Sequence, residues 1–136
     1  MTDKELLLKA TEARNFAYAP YSNHRVGAAL LTKSGKVYTG CNIENAAYTP
    51  TNCAERTAVF KAVSEGEYEF RAIAIAGGIG DNLSALCAPC GVCRQVLAEF
   101  CDSDLRIIMG TPDDIKVSSL AELLPFSFGK SDLNKQ

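Results

Sequence analysis

A chain of 136 residues with 47% apolar content is long enough for one globular domain over residues 1–136, burying roughly 68% of the surface its unfolded form exposes. Its net charge of −2, with acidic and basic residues interspersed, excludes the positive stripe that a phosphate backbone requires and favours small molecules over nucleic acid as partners. The opening stretch MTDKELLLKATEARNF carries charges on both sides of a three-leucine run, too short and too acidic for a signal-peptide core or a membrane span, so a cytoplasmic location is expected. In that compartment the six cysteines are expected as thiolate ligands, catalytic thiols or small buried hydrophobes rather than as disulfides.

Thr2 and Glu5 have the pattern of a capping box, and Leu6, Leu7, Ala10, Ala13, Phe16 and Ala17 recur at helical spacing. This predicts an amphipathic helix over residues 3–18, ended by Pro20. Val26 to Thr32 and Val37 to Cys41 are apolar, partly β-branched runs around Lys33-Ser34-Gly35-Lys36 and predict a β-hairpin. Asn42 and Glu44 follow it, two apart, and would project to one side; residue types alone leave them open as loop caps or as a pair for sugar hydroxyls. Cys53 to Ser64, with an apolar stripe at Ala54, Ala58, Val59 and Ala62 and Gly66 beyond, predicts a second helix. Arg71 to Ala76 reads as a buried strand, Gly91 to Phe100 as a third helix and Leu105 to Met109 as another strand. The alternation predicts an α/β layered sheet, the hairpin antiparallel and later strands parallel.

The chemistry concentrates at two helix starts. Cys90 and Cys93 follow Pro89 at i and i+3 and can share a face, but a lone CxxC also serves redox dithiols and plain buried cysteines. Cys53 opens the other helix with Glu55 two residues on. Three thiolates would leave the fourth tetrahedral position of Zn²⁺ open to water, as a catalytic site requires, with Glu55 within reach of that water. Such a site carries a net charge of −1, which two helix N-termini would offset together with Arg56 and Arg94, if those arginines donate to sulfur instead of facing solvent. A closed structural site using Cys87 as fourth ligand is the rival, and a dithiol redox protein a third reading. Against the closed site, Pro89 drives Ala88 toward extended backbone and Cys87 back along the incoming loop.

The CAE string at 53–55 with PCGVC at 89–93 has the pattern of zinc deaminases. The chain resembles the small cytidine deaminases along nearly its whole length, through YAPYS at 18–22, VGAALL at 26–31, GCNIENAAY at 40–48, NCAERTA at 52–58, PCGVCRQV at 89–96 and ELLPFSF at 122–128. The resemblance implies a mixed five-stranded sheet flanked by helices, one zinc per chain, and a homotetramer with shared active sites. It implies deamination of cytidine and deoxycytidine in pyrimidine salvage, a zinc-activated hydroxide attacking C4 while Glu55 moves the protons. It gives Asn42 and Glu44 to the sugar, the backbone around Ala54 and Cys90 to the base edge, and Phe128, Ala46 and Tyr48 to contacts across the subunit interface. His24, the only histidine, stands where that family usually has a phenylalanine stacked on the pyrimidine. Its planar imidazole is expected to stack with less apolar area; the alternative is that it points to solvent at the start of the strand.

Overall fold

The computed structural model describes residues 1–133. Helix α1 (Asp3–Ala13) starts where Thr2 accepts a hydrogen bond from the Glu5 amide at 3.1 Å and runs into a single 3₁₀ turn, Arg14–Phe16. It ends short of the predicted residue 18 because Ala17 already adopts extended backbone (φ −59°, ψ 135°) on the approach to Pro20. Strands β1 (His24–Thr32) and β2 (Val37–Cys41) form the predicted hairpin, and α2 (Ala54–Ser64) follows. The buried strand over 71–76 extends in both directions to become β3 (Phe70–Ile79), and α3 spans Gly91–Phe100 as predicted. After it come β4 (Arg106–Thr111), β5 (Asp114–Ser119) and the single-turn helices α4 (Leu120–Leu123) and α5 (Lys130–Leu133).

The five strands form one mixed sheet in the order β2-β1-β3-β4-β5. Only β3 and β4 run parallel; β1 is antiparallel to both its neighbours and β5 to β4. No pattern in residues 114–119 announced β5. It is an edge strand whose Asp114, Lys116 and Val117 are exposed, so it lacks the alternation that a half-buried strand needs.

Side-chain alternation splits the core into two layers. Ala29 and Leu31 of β1 with Ala72, Ala74 and Ala76 of β3 meet Leu6, Leu7 and Ala10 of α1, while Ala28, Leu30, Ile73 and Ile75 meet Ala58, Val59 and Leu97 of α2 and α3. Small residues set how closely the helices approach. A Cβ on Gly40 would lie 2.6 Å from both the Ala54 carbonyl oxygen and the Ala58 nitrogen, and one on Gly27 would collide with the Ala10 carbonyl oxygen. Among the described residues no helix is long and apolar enough to cross a membrane.

Because β1 is antiparallel to β2 and β3, the start of β1 lies at the same end of the sheet as the ends of β2 and β3. The chain enters α2 and α3 from that end. Ile43, just past β2, bridges to Tyr18 and to Asn52, the residue before Cys53. The fold thereby gathers His24, Asn42, Glu44, Cys53 and Cys90 toward one end of the sheet.

Candidate active site

Two helix starts supply the sulfurs. Cys53 and Cys90 are the N-cap residues of α2 and α3, both in extended backbone, and neither thiol caps its own helix. Each sulfur is therefore free to point away from its helix toward a shared centre. Cys93, in the first turn of α3, is fully buried. The three Sγ atoms lie within 4.8 Å of one another, with Cys53 to Cys90 at 3.7 Å and Cys90 to Cys93 at 3.5 Å. A tetrahedral Zn²⁺ with bonds of about 2.3 Å sets its sulfurs roughly 3.8 Å apart, so the donor set fits one zinc per chain in both chemistry and spacing. Cys87 is not among the converging sulfurs. It lies back against β3, its Sγ 2.7 Å from where a Cβ on Gly77 would be, and burial pushes its thiol up to about 11.

The charges at this centre are coupled. The neighbouring Cys93 thiol, together with the Arg56 guanidinium, pulls the Cys53 thiol down to about 5, while Cys93 is pushed up. Arg56 Nη2 donates to Cys53 Sγ at 3.3 Å. Arg94 departs from the expectation that it tunes the sulfurs. Its Nε donates to the Pro89 carbonyl at 2.7 Å and its Nη1 to the Leu123 carbonyl at 2.8 Å. Both donors are thus taken by the carbonyl that precedes the α3 N-cap and the carbonyl of the last residue of α4, which ties α4 to the segment carrying Cys90. Glu55 is 3% exposed. Burial, assisted by the negative charge on Cys53, pushes its carboxyl up to about 7.

A cavity of about 630 Å³ is lined by Lys9, Phe16, Val37, Cys41, Thr57 and Lys61 among others, and by neither a converging cysteine nor Glu55. It runs along the outer edge of β2, so cavity size does not locate the chemistry here.

Around the start of β1 the polar residues interlock. Asn42, 8% exposed, accepts from the Val26 amide at 2.9 Å through Oδ1 and donates to the His24 carbonyl at 2.8 Å through Nδ2. One amide hydrogen of Asn42 stays uncommitted to the protein. Glu44 turns to the preceding loop, accepting from the amides of Tyr21 (3.0 Å) and Ser22 (3.2 Å) and from the Ser22 hydroxyl. These bonds hold its carboxyl below the usual range. His24 is half-buried between the two, its amide donating to Ser22 Oγ at 3.0 Å. Ala54 is fully buried at the first position of α2. Ala46 is exposed, as are Tyr48 and Phe128, the last two by 73% and 60%.

Residues 1–110 match the family described as the cytidine and deoxycytidylate deaminase zinc-binding region. The chain is 47% identical over 135 residues to the cytidine deaminase of Sporosarcina psychrophila, covering 98% of this chain and 96% of that one. The cytidine deaminase of Halalkalibacterium halodurans is 49% identical over 134 residues, covering 97% and 98%. The crystal structure of the cytidine deaminase from Burkholderia pseudomallei superposes with a TM-score of 0.87 at 47% identity, covering 94% of this chain and all of that one.

The chain belongs to the cytidine and deoxycytidylate deaminase family.

Two residues of this deaminase that sequence reasoning passed over organise the site's surroundings. Arg14 is 5% exposed, and its guanidinium donates to four carbonyls, those of Arg25, Gly78, Gly80 and Asn82. It thereby pins the loop that leaves β3 for Cys90. A signal was present: Arg14 falls four residues after Ala10 and seven after Leu7, on the buried stripe of α1. Ser22 is the other; it closes the YAPYS string at 18–22, but that string does not show which carboxylate its hydroxyl meets.

Proposed function

We propose that this chain is a zinc-dependent hydrolase that deaminates free cytidine and deoxycytidine to uridine and deoxyuridine with release of ammonia, in a salvage role in the cytoplasm. The observation that carries the reading is the convergence of three cysteine sulfurs beside the buried carboxyl of Glu55. Family membership and the resemblance of nearly the whole chain to cytidine deaminases narrow the substrate.

Cys53, Cys90 and Cys93 would hold the metal, which when bound supplies Lewis-acid activation of water. Glu55 moves the protons. Burial raises its carboxyl above the ordinary carboxylate range, which favours the neutral acid it becomes once it has taken up a proton. Glu55 takes a proton from the attacking water and delivers it to N3 of the pyrimidine as C4 becomes tetrahedral, then takes the remaining proton of that water from the C4 oxygen and delivers it to the amino group, which departs as ammonia while C4 becomes the uracil carbonyl. The Arg56 bond to Cys53 and the two helix N-termini offset the excess negative charge of three thiolates.

In the same reading, Asn42 donates its remaining amide hydrogen to the sugar and Glu44 accepts from it. His24 stacks on the base, and the backbone at Ala54 and Cys90 meets the base edge. The carboxylate of Glu44 near the sugar disfavours a nucleotide phosphate by charge repulsion, which selects nucleosides. Phe128, Ala46 and Tyr48, exposed on the single chain, act across subunit interfaces of a homotetramer.

The test is a panel of cytidine, deoxycytidine, deoxycytidylate, cytosine and blasticidin S mixed with purified protein, followed by ultraviolet absorbance and ammonia release. Turnover of both nucleosides, abolished by removing the metal, is the expected result. Glu55→Gln should keep zinc and fold while losing at least about 10²-fold in kcat, since an amide cannot shuttle protons. Full activity without metal would refute the mechanism, and loss of zinc from the Gln variant would make Glu55 structural.

A further inference from the structure

Glu44 is held more completely than a carboxylate that only awaits a ligand needs to be. Oε1 accepts from the Tyr21 amide at 3.0 Å and the Ser22 amide at 3.2 Å, and Oε2 accepts from the Ser22 hydroxyl. A carboxylate offers about four acceptor positions. Three are filled from one short loop, which leaves a single position on Oε2.

Ser22 is itself fixed from the other side. Its Oγ donates to Glu44 and accepts from the His24 amide at 3.0 Å, so the hydroxyl hydrogen is committed to the carboxylate and cannot rotate away without losing a bond. The His24 amide belongs to the first residue of β1, whose carbonyl is in turn held by Asn42. The chain thus connects the rigid sheet, through one hydroxyl, to one carboxylate oxygen. On the far side, the Tyr21 ring meets the Tyr48 ring edge-on at 6.4 Å and an interplanar angle of 89°. The loop that carries Ser22 is anchored at both ends.

We propose that Ser22 is a positioning residue for substrate binding: with the Tyr21 and Ser22 amides it occupies three acceptor positions of Glu44, so that the carboxylate presents one position to one nucleoside hydroxyl. The inference rests on the sugar-binding reading of Glu44 given above. Its consequence is that Ser22 acts on ground-state binding and not on proton transfer, and that only one of the two ring hydroxyls of the ribose senses it.

Steady-state kinetics of the zinc-loaded enzyme with cytidine and with its 2′-deoxy and 3′-deoxy analogues test this, using Ser22→Ala, Ser22→Thr, Glu44→Gln and the combined Ser22→Ala/Glu44→Gln variant. Ser22→Ala should raise KM for cytidine roughly three- to tenfold with kcat within about twofold, and Ser22→Thr, which restores the hydroxyl, should recover most of it. The Ser22→Ala penalty should vanish in the Glu44→Gln background and for one deoxy analogue only. A rise in KM from Glu44→Gln with none from Ser22→Ala overturns the proposal, as does a Ser22→Ala penalty that is equal for all three nucleosides or that persists without the Glu44 carboxylate. An unchanged KM in Glu44→Gln overturns the sugar-binding reading itself.

Discussion

Arg56 Nη2 donates to the sulfur of Cys53 at 3.3 Å, within a single turn of α2. The Nε of the same guanidinium is buried with no hydrogen-bond partner in the protein, so its placement is dictated by the sulfur and not by a balanced network. Arg56→Gln should retain zinc but lower kcat roughly tenfold, the loss of one charge-assisted hydrogen bond at about 1.4 kcal/mol. Metal content and kcat measured on one preparation check this. Unchanged turnover would show that the helix N-termini alone balance the thiolates.

Removing any one of Cys53, Cys90 or Cys93 should release the metal, whereas Cys87→Ala should keep it, because three ligands and a water complete the tetrahedron. Cys87 is half-buried against Gly77, so its loss should cost about 1 kcal/mol of stability by leaving a small void. Metal analysis of the four variants decides. Equal loss in all four would restore the closed structural site.

How far the sequence reached follows from how local each determinant was. The capping box at Thr2 and Glu5, the hairpin and the two cysteine-capped helices depend on residues within a turn or two of one another, and patterning recovers them. The three cysteines whose sulfurs converge lie far apart along the chain, but each sits at a predicted helix start, which is where the structure brings them together. Arg94 was misread because the choice between a sulfur and the carbonyls of Pro89 and Leu123 depends on where α4 packs, which no local pattern encodes. The carboxylate partner of Ser22 and three of the four carbonyl partners of Arg14 likewise come from remote segments, although the place of Arg14 on the buried stripe of α1 was legible locally. β5 escaped because an edge strand exposed on its outer face needs β4 to give it a period.

The bidentate pair between Arg106 and Asp3 (2.6 and 2.8 Å) ties β4 to the first turn of α1 and holds the Asp3 carboxyl below its ordinary value. A carboxyl depressed in the folded state stabilises above its unfolded pKa, about 3.9, and loses that contribution as pH falls through the folded value. With side chains 34% and 47% exposed, solvent screening limits the pair to about 1 kcal/mol or less. Asp3→Asn should therefore unfold more easily than the parent at pH 6 to 7, with the gap closing below about pH 4. Urea titrations of both proteins at several pH values measure it. A gap that persists at low pH would show that packing, not charge, is lost.

Phe128 is 60% exposed and Phe126 fully exposed, on a segment whose nearest tie is the Gln95 side chain donating to the Phe128 carbonyl at 2.8 Å. Two exposed phenyl rings in one short segment are a surface that water solvates poorly, and burial against another copy would recover roughly 1.5–3 kcal/mol for each. If Phe128 completes a neighbour's site, its defect and that of Glu55 belong to different sites of one oligomer. Phe128→Ala should then raise KM while leaving the melting temperature within a few degrees, and sedimentation should give a tetramer. Hybrid tetramers of Phe128→Ala and Glu55→Gln chains should contain some sites that combine an intact Glu55 from one chain with an intact Phe128 from the other. Those sites should turn over cytidine with the parent KM, which neither homotetramer does. Hybrids whose kinetics only average the two parents would place Phe128 at the site of its own chain, and a fully active monomer would remove the shared site altogether.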